Sequence, residues 1–169
     1  LDTKFPIILK SSTGTQTGVG VVIIESMRSL KAMVQMILLY NKFLPIIIQE
    51  YIETDYDMRV VVCNGEVMGA MKRIVIKGDV RSNASLGAKT EEIELTDLEK
   101  TEAIKIAKAS KCSLAGVDLI PSKDRENEKP YCLEVNANLG YAGIEKVIKG
   151  KSVTKEILKH FMNRENWRI

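Results

Sequence analysis

The chain has 169 residues and a net charge of +3, and it is 45% hydrophobic and 28% charged. That balance fits one globular domain or two small lobes and excludes a disordered or collagen-like chain. Aromatic residues make up only 5% and the basic residues are scattered, which excludes a stacking platform or a basic stripe for nucleic acid.

Residues 5–10 read as a short apolar strand ending at Lys10. Residues 11–20 are a polar loop carrying Gly14, Gly18 and Gly20, and residues 21–24 are a second strand. Ser26 opens a helix with Leu30, Met33, Val34, Ile37 and Leu38 on one face. Pro45 ends that pattern ahead of a third strand at 46–49. Residues 58–63 and 66–74 are strands joined by Asn64-Gly65, a strong hairpin signal. Residues 76–90 are predicted as a polar loop. Thr96 and Glu99 form a capping box for a helix that runs to about Ser110. Strands at 115–120 and 130–136 flank a charged loop, 122–129, predicted to be solvated. Helices at 142–148 and 153–162 close the chain.

This order gives an α+β fold rather than alternating βαβ units. A boundary near residues 49–55 separates a small lobe, 1–50, from a larger one, 51–169. No apolar run reaches the length of a membrane span, and no secretory signal is read, so no membrane partner is expected. The chain begins at Leu1 without an initiator methionine, as the middle of a larger protein or a trimmed chain does. Cys63, Cys112 and Cys132 are odd in number and form no C-x-x-C pair, which points to reduced thiols and a cytoplasmic location. With His160 as the single histidine, zinc chemistry is not expected.

The most informative residues lie on the two strands after the capped helix. Alternate side chains of a strand share a face, so Glu134 and Asn136 point one way while Leu133 and Val135 point into a core. Asp118 stands among apolar neighbours and is predicted to be half-buried. A buried carboxylate is costly unless paired or bound to a cation. Three hard oxygen donors on neighbouring strands suit magnesium, and the plainer alternative is three satisfied polar residues at strand ends. The glycines of residues 12–20 allow backbone N–H groups to approach a phosphate, although no Walker lysine follows them. Such a loop also suits a plain flexible hairpin. Arg73 and the Arg81-Ser82-Asn83 triplet bracket a polar loop, and arginine forks match phosphate or carboxylate oxygens.

Taken together these parts resemble the ATP-grasp ligases, most closely the RimK-like group of ribosomal-protein glutamate ligases and their relatives. The resemblance is carried by Lys10, the loop 14–20, Gln49-Glu50-Tyr51-Ile52, Asp57-Met58-Arg59, Arg81-Ser82-Asn83, Ala115-Gly116-Val117-Asp118 and Glu134-Val135-Asn136, in that order. It also takes in Gly140-Tyr141-Ala142-Gly143-Ile144-Glu145-Lys146 and spans residues 5–161. It implies two α+β lobes with ATP held between antiparallel sheets. Lys10 would contact nucleotide phosphates, with Gly14, Gly18 and Gly20 in the flap over them. Gln49, Glu50, Tyr51 and Ile52 would line the adenine site. Asp57, Arg81, Ser82 and Asn83 would be further nucleotide contacts. Asp118, Glu134 and Asn136 would hold Mg2+, with Mn2+ as a substitute, and Arg73 and Arg81 would be catalytic.

The implied reaction joins a carboxylate donor to an amine acceptor through an acylphosphate, with ATP as co-substrate and glutamate or a peptide as the substrate class. The family carries a further N-terminal domain ahead of this region, and that domain is expected to be absent here or to act as a separate partner. A homo-oligomer is the other partner the resemblance allows. Asn138-Leu139-Gly140 and Ala84-Ser85-Leu86-Gly87-Ala88 depart from the family pattern, which bears on the acceptor more than on the nucleotide. The alternative is a non-catalytic ATP-binding module, or a fragment that needs the missing domain.

Overall fold

The computed structural model describes residues 4–12, 20–75, 89–139 and 141–163. Two compact units emerge, one holding the described residues up to Glu53 and the other Thr54–Ile74 with the described residues from 89 onward.

In the first unit, strands β1 (Ile7–Ser11), β2 (Val21–Ile24) and β3 (Ile46–Glu50) form an antiparallel sheet in the order β2-β1-β3. Helix α1 (Met27–Tyr40) begins at Ser26, whose hydroxyl accepts from the Ser29 N–H at 3.2 Å. The helix presents Leu30 to Ile7, Leu9 and Ile24, with Met33, Val34 and Ile37 packed around them. Leu38, expected on the same face, is instead exposed.

The second unit is a five-stranded antiparallel sheet in the order β6-β5-β4-β7-β8. Its strands are β4 (Tyr56–Cys63), β5 (Glu66–Ile74), β6 (Thr90–Glu92), β7 (Leu114–Ile120) and β8 (Tyr131–Asn136). Asn64 and Gly65 both have positive φ, 44° and 83°, as a two-residue type I′ hairpin requires. The short strand β6 falls at the end of a segment that the sequence suggests is loop. Its polar residues conceal it, because its Glu91 serves Lys72 and Lys89 rather than a core.

One face of this sheet packs against helix α2 (Asp97–Ala109). Met58, Val60, Val62, Ala115, Val117 and Leu119 meet Leu95, Ala103 and Ala107 there. The other face is divided along the strands. At one end Val61, Cys63, Met68 and Met71 are covered by helices α3 (Tyr141–Val147) and α4 (Val153–Met162) through Ile144, Ile148, Val153 and Ile157. At the other end the same face carries charged side chains.

The capping box forms as predicted: Thr96 Oγ1 accepts from the Glu99 N–H and the Glu99 carboxylate accepts from the Thr96 N–H. Glu99 is also buried, and both its oxygens accept from Arg125 at 2.8 Å. Residues 122–129 are therefore not a wholly solvated loop. Arg125 folds in because a buried carboxylate needs more than one backbone N–H to replace its water. Arg125→Ala is expected to cost about 1–3 kcal/mol, the penalty for leaving that carboxylate short of donors. Thermal unfolding checks this, and an unchanged midpoint would mean that water replaces the guanidinium.

Candidate functional site

Strand register alone collects the charges. Asp57 lies opposite Arg73 across β4 and β5, Arg59 opposite Asp118 across β4 and β7, and Asp118 opposite Glu134 across β7 and β8. Asp57 and Arg59 are two residues apart on β4, as are Glu134 and Asn136 on β8, so each pair shares a face. The result is one polar row across four strands, continuing the face that α3 and α4 cover further along.

Asp118 is the hub. Arg59 donates to both its oxygens, through Nε to Oδ1 and through Nη2 to Oδ2 at 2.7 Å. Arg73 Nη2 lies 3.1 Å from Oδ2, and Asn136 Nδ2 lies 3.4 Å from the same atom. Asp118 is 1% exposed, fully rather than half-buried, because two guanidiniums do the work that water would do. Arg73 also makes a bidentate pair with Asp57, at 2.6 and 2.8 Å. Burial alone would lower the Arg73 pKa, but Asp118 and Asp57 more than offset it and hold the guanidinium above its usual range. Arg73 Nη1 makes no bond to a described residue, which leaves one N–H pair of a fixed, permanently charged group for a ligand.

Glu134 is exposed and accepts from Asn136 Nδ2 at 2.8 Å. The strand that carries it is the sheet's edge: three of its six residues are exposed and none is fully buried. Of the two residues expected to point into a core, Val135 packs against one and is only partly buried. A bulge sets Leu133 outside the pairing, with Asp118 opposite Glu134 and Leu119 opposite Cys132. Bulges beside functional sites re-aim side chains, and this one adjoins Glu134.

Arg59 is the member of the row that sequence analysis did not single out for a role. Its signal was present in the alternation Asp57-Met58-Arg59-Val60, two charges on the face opposite to the apolar pair. Besides holding Asp118 it donates from Nη1 to the Leu139 carbonyl at 3.1 Å, which ties the segment after β8 to β4. Gly116 makes room for it: a Cβ there would stand 3.1 Å from Arg59 Cδ and 3.3 Å from Leu139 Cδ2.

The row holds three carboxylates and two guanidiniums, one net negative charge. Among the described residues no three His, Cys, Asp or Glu side chains are placed to share an ion. Asp118, Glu134 and Asn136 nevertheless fit one by donor chemistry, since two carboxylates and an amide converge on the Asn136 Nδ2 position. Asp118 accepts from the two arginines and Asn136, which fills the usual capacity of a carboxylate. A cation there would replace the amide N–H and leave the arginines in place.

The other predicted residues lie elsewhere. Lys10 is on β1, opposite Val21 and Ile47, and Gln49 and Glu50 are on β3 opposite Ile8 and Ile7. Tyr51 and Ile52 follow β3 and are partly buried. Gly20 has a φ of +91°, a conformation that favours glycine. Gly14, Gly18, Arg81, Ser82 and Asn83 lie outside the described residues.

Residues 1–161 match the family model of the RimK-like ATP-grasp domain. The chain is 35% identical over 157 residues to a probable alpha-L-glutamate ligase of Marinomonas sp. (strain MWYL1), covering 92% of this chain and 50% of that protein. A second such ligase, from Shewanella sp. (strain W3-18-1), is 36% identical over 157 residues with the same coverage. The chain thus spans about half the length of the curated relatives it matches. Among solved structures, the ATP-grasp ligase PsnB complexed with a precursor variant, Mg and ADP superposes with a TM-score of 0.68 at 20% identity, over 94% of this chain and 47% of PsnB. D-alanine–D-alanine ligase from Bacillus anthracis gives 0.64 at 23% identity, over 94% and 53%.

Proposed function

The chain belongs to the RimK-like ATP-grasp family, with that family's α+β fold, and on that premise we propose that it is the nucleotide-binding and catalytic region of an ATP-dependent carboxylate–amine ligase. The observation that carries this is the polar row, where two carboxylates and an amide meet beside an arginine held by two buried acids. In this proposal the donor carboxylate attacks the γ-phosphorus of ATP and ADP leaves. An amine then attacks the acyl carbon of the acylphosphate, phosphate leaves, and an amide forms. The relatives' names make glutamate the leading substrate class, with a peptide or amino acid as the other partner. The three cysteines of the sequence suit a reducing, cytoplasmic setting.

Arg73 holds its charge at a fixed point, and its Nη1 is the group that would donate to oxygens that gain charge during transfer. Asp57 and Arg59 are positioning residues: Asp57 aims Arg73, alongside the nucleotide contact that the family pattern gives it, and Arg59 aims Asp118. Asp118, Glu134 and Asn136 hold Mg2+, which when bound offsets phosphate charge. Lys10, Gln49, Glu50, Tyr51 and Ile52 serve the nucleotide, and so do Gly14, Gly18, Gly20, Ser82 and Asn83, with Arg81 joining Arg73 in catalysis. The family pattern supports these last assignments.

The test is calorimetric titration of ATP into the chain with and without magnesium. Binding that needs magnesium is the expected result, and Lys10→Ala should weaken it by about 1–3 kcal/mol, the worth of a charged hydrogen bond. Absence of binding would remove the nucleotide assignment from this chain. Binding without glutamate-dependent phosphate release would favour the ATP-binding module.

A further inference from the structure

Strand β5 is paired on both sides for only part of its length. Along β4 it is paired almost throughout, but on the other side β6 covers only Met71, Lys72 and Arg73. Among the described residues no strand pairs with residues 66–70 on that side. Past Glu92 the chain turns away to bury Leu95 in the core behind the sheet, and a cavity of about 260 Å³ opens beside the bare edge.

The cavity has an apolar floor and a basic rim. Val67, Ile93 and Ile148 line the floor, while Lys100, Lys149 and Lys151 stand around it. Glu92 is the acid in the lining, and Lys100 is partly engaged by Asp97 at 3.1 Å, so the lining remains net positive. Gly69 brings the walls together: a Cβ there would stand 2.5 Å from Ile148 Cδ1 and 3.0 Å from Val153 Cγ2. The α3–α4 connection, residues 148–152, thereby closes directly against the strand. A bulge at Met68, between the Val61–Gly69 and Val62–Val67 pairs, bends the strand at this point.

We propose that this edge is a docking site for an extended acidic peptide, which adds to β5 as a further strand alongside residues 66–70. Main-chain hydrogen bonds supply affinity in such strand addition, and pockets for alternate side chains supply selectivity. Here the floor takes an apolar or methylene-bearing side chain and the three lysines select carboxylates. The near end of the site, Ala70, lies three residues from Arg73 along β5, about 10 Å, and the rest lies further off, so it is separate from the polar row. It does not depend on the nucleotide reading. Lysines on a bare edge also serve simply to deter aggregation, and the experiment separates the two roles.

The probe is a fluorescent oligo-glutamate peptide, read by anisotropy against the chain without nucleotide. Binding is expected, and the double variant Lys149→Glu, Lys151→Glu should weaken it roughly tenfold, while ATP affinity stays unchanged. The same peptide N-methylated at alternate amides keeps its charge but loses one hydrogen-bonding edge, and it should bind as weakly. Amides of residues 66–70 should gain hydrogen-exchange protection with the unmodified peptide. Equal binding by the methylated peptide, or no effect of the lysine reversals, overturns the proposal, as does absence of binding. Self-association of the chain that competes with the peptide would give the edge to a second copy and overturn it as well.

Discussion

Asp118→Asn is expected to destabilise the second unit by roughly 3 kcal/mol, because it leaves two buried guanidiniums without the carboxylate they share. The side chains of Arg59 and Arg73 are only 13% and 5% exposed, so water cannot replace what is lost. Arg73 keeps Asp57, but Arg59 keeps only the Leu139 carbonyl. With a urea slope of about 1–3 kcal/mol per molar, the unfolding midpoint should fall by about 1–3 M. A double variant separates structure from function. Arg59→Met with Asp118→Leu replaces the pair by apolar groups of similar size, which often restores stability. Stability should return in that protein, whereas magnesium-dependent ATP binding should be lost because Asp118 is no longer there to hold the ion. An unmoved midpoint in Asp118→Asn would show that the hub carries no structural weight.

Glu134→Gln should do the reverse. Glu134 is exposed on the edge strand, and its bonded neighbour is Asn136, so stability should change by no more than about 0.5 kcal/mol. The row, however, loses its net negative charge and keeps two carboxylates against two guanidiniums. Magnesium-dependent ATP affinity should drop roughly 10–100-fold, at least what is lost when a ligand's supporting group is removed. Titrating ATP at several magnesium concentrations measures this. A response to magnesium equal to that of the parent chain would withdraw Glu134 from the ion.

How much of this was legible follows from the range of the interactions. The Asn64-Gly65 hairpin and the Thr96–Glu99 cap are local, and both form as the sequence suggests. Asp118, Glu134 and Asn136 could be placed on facing strands because each interrupts an apolar run with an oxygen donor. The arginine that holds Asp118 was harder to see, since 59 residues separate Arg59 from its partner. Alternation tells which face a side chain takes and is silent on what lies across it. The same holds for Arg125, 26 residues from Glu99 in a segment whose composition suggests solvent. Strand β6 is short and polar, and what identifies it is pairing with β5, which no local pattern encodes.

Arg59, Arg73 and Asp118 all stand inside strands that are paired, at their positions, on both sides, and Asp57 is paired with Arg73 across β4 and β5. Their spacing is therefore fixed by backbone hydrogen bonds rather than by a loop. Amides at these positions should be among the last to exchange with solvent, since they are released only when the sheet itself opens. The charged centre thus shares the lifetime of the folded unit. Fluctuations that fray the edges or the connections leave its geometry intact, whereas an event that disturbs it has already begun to unfold the protein.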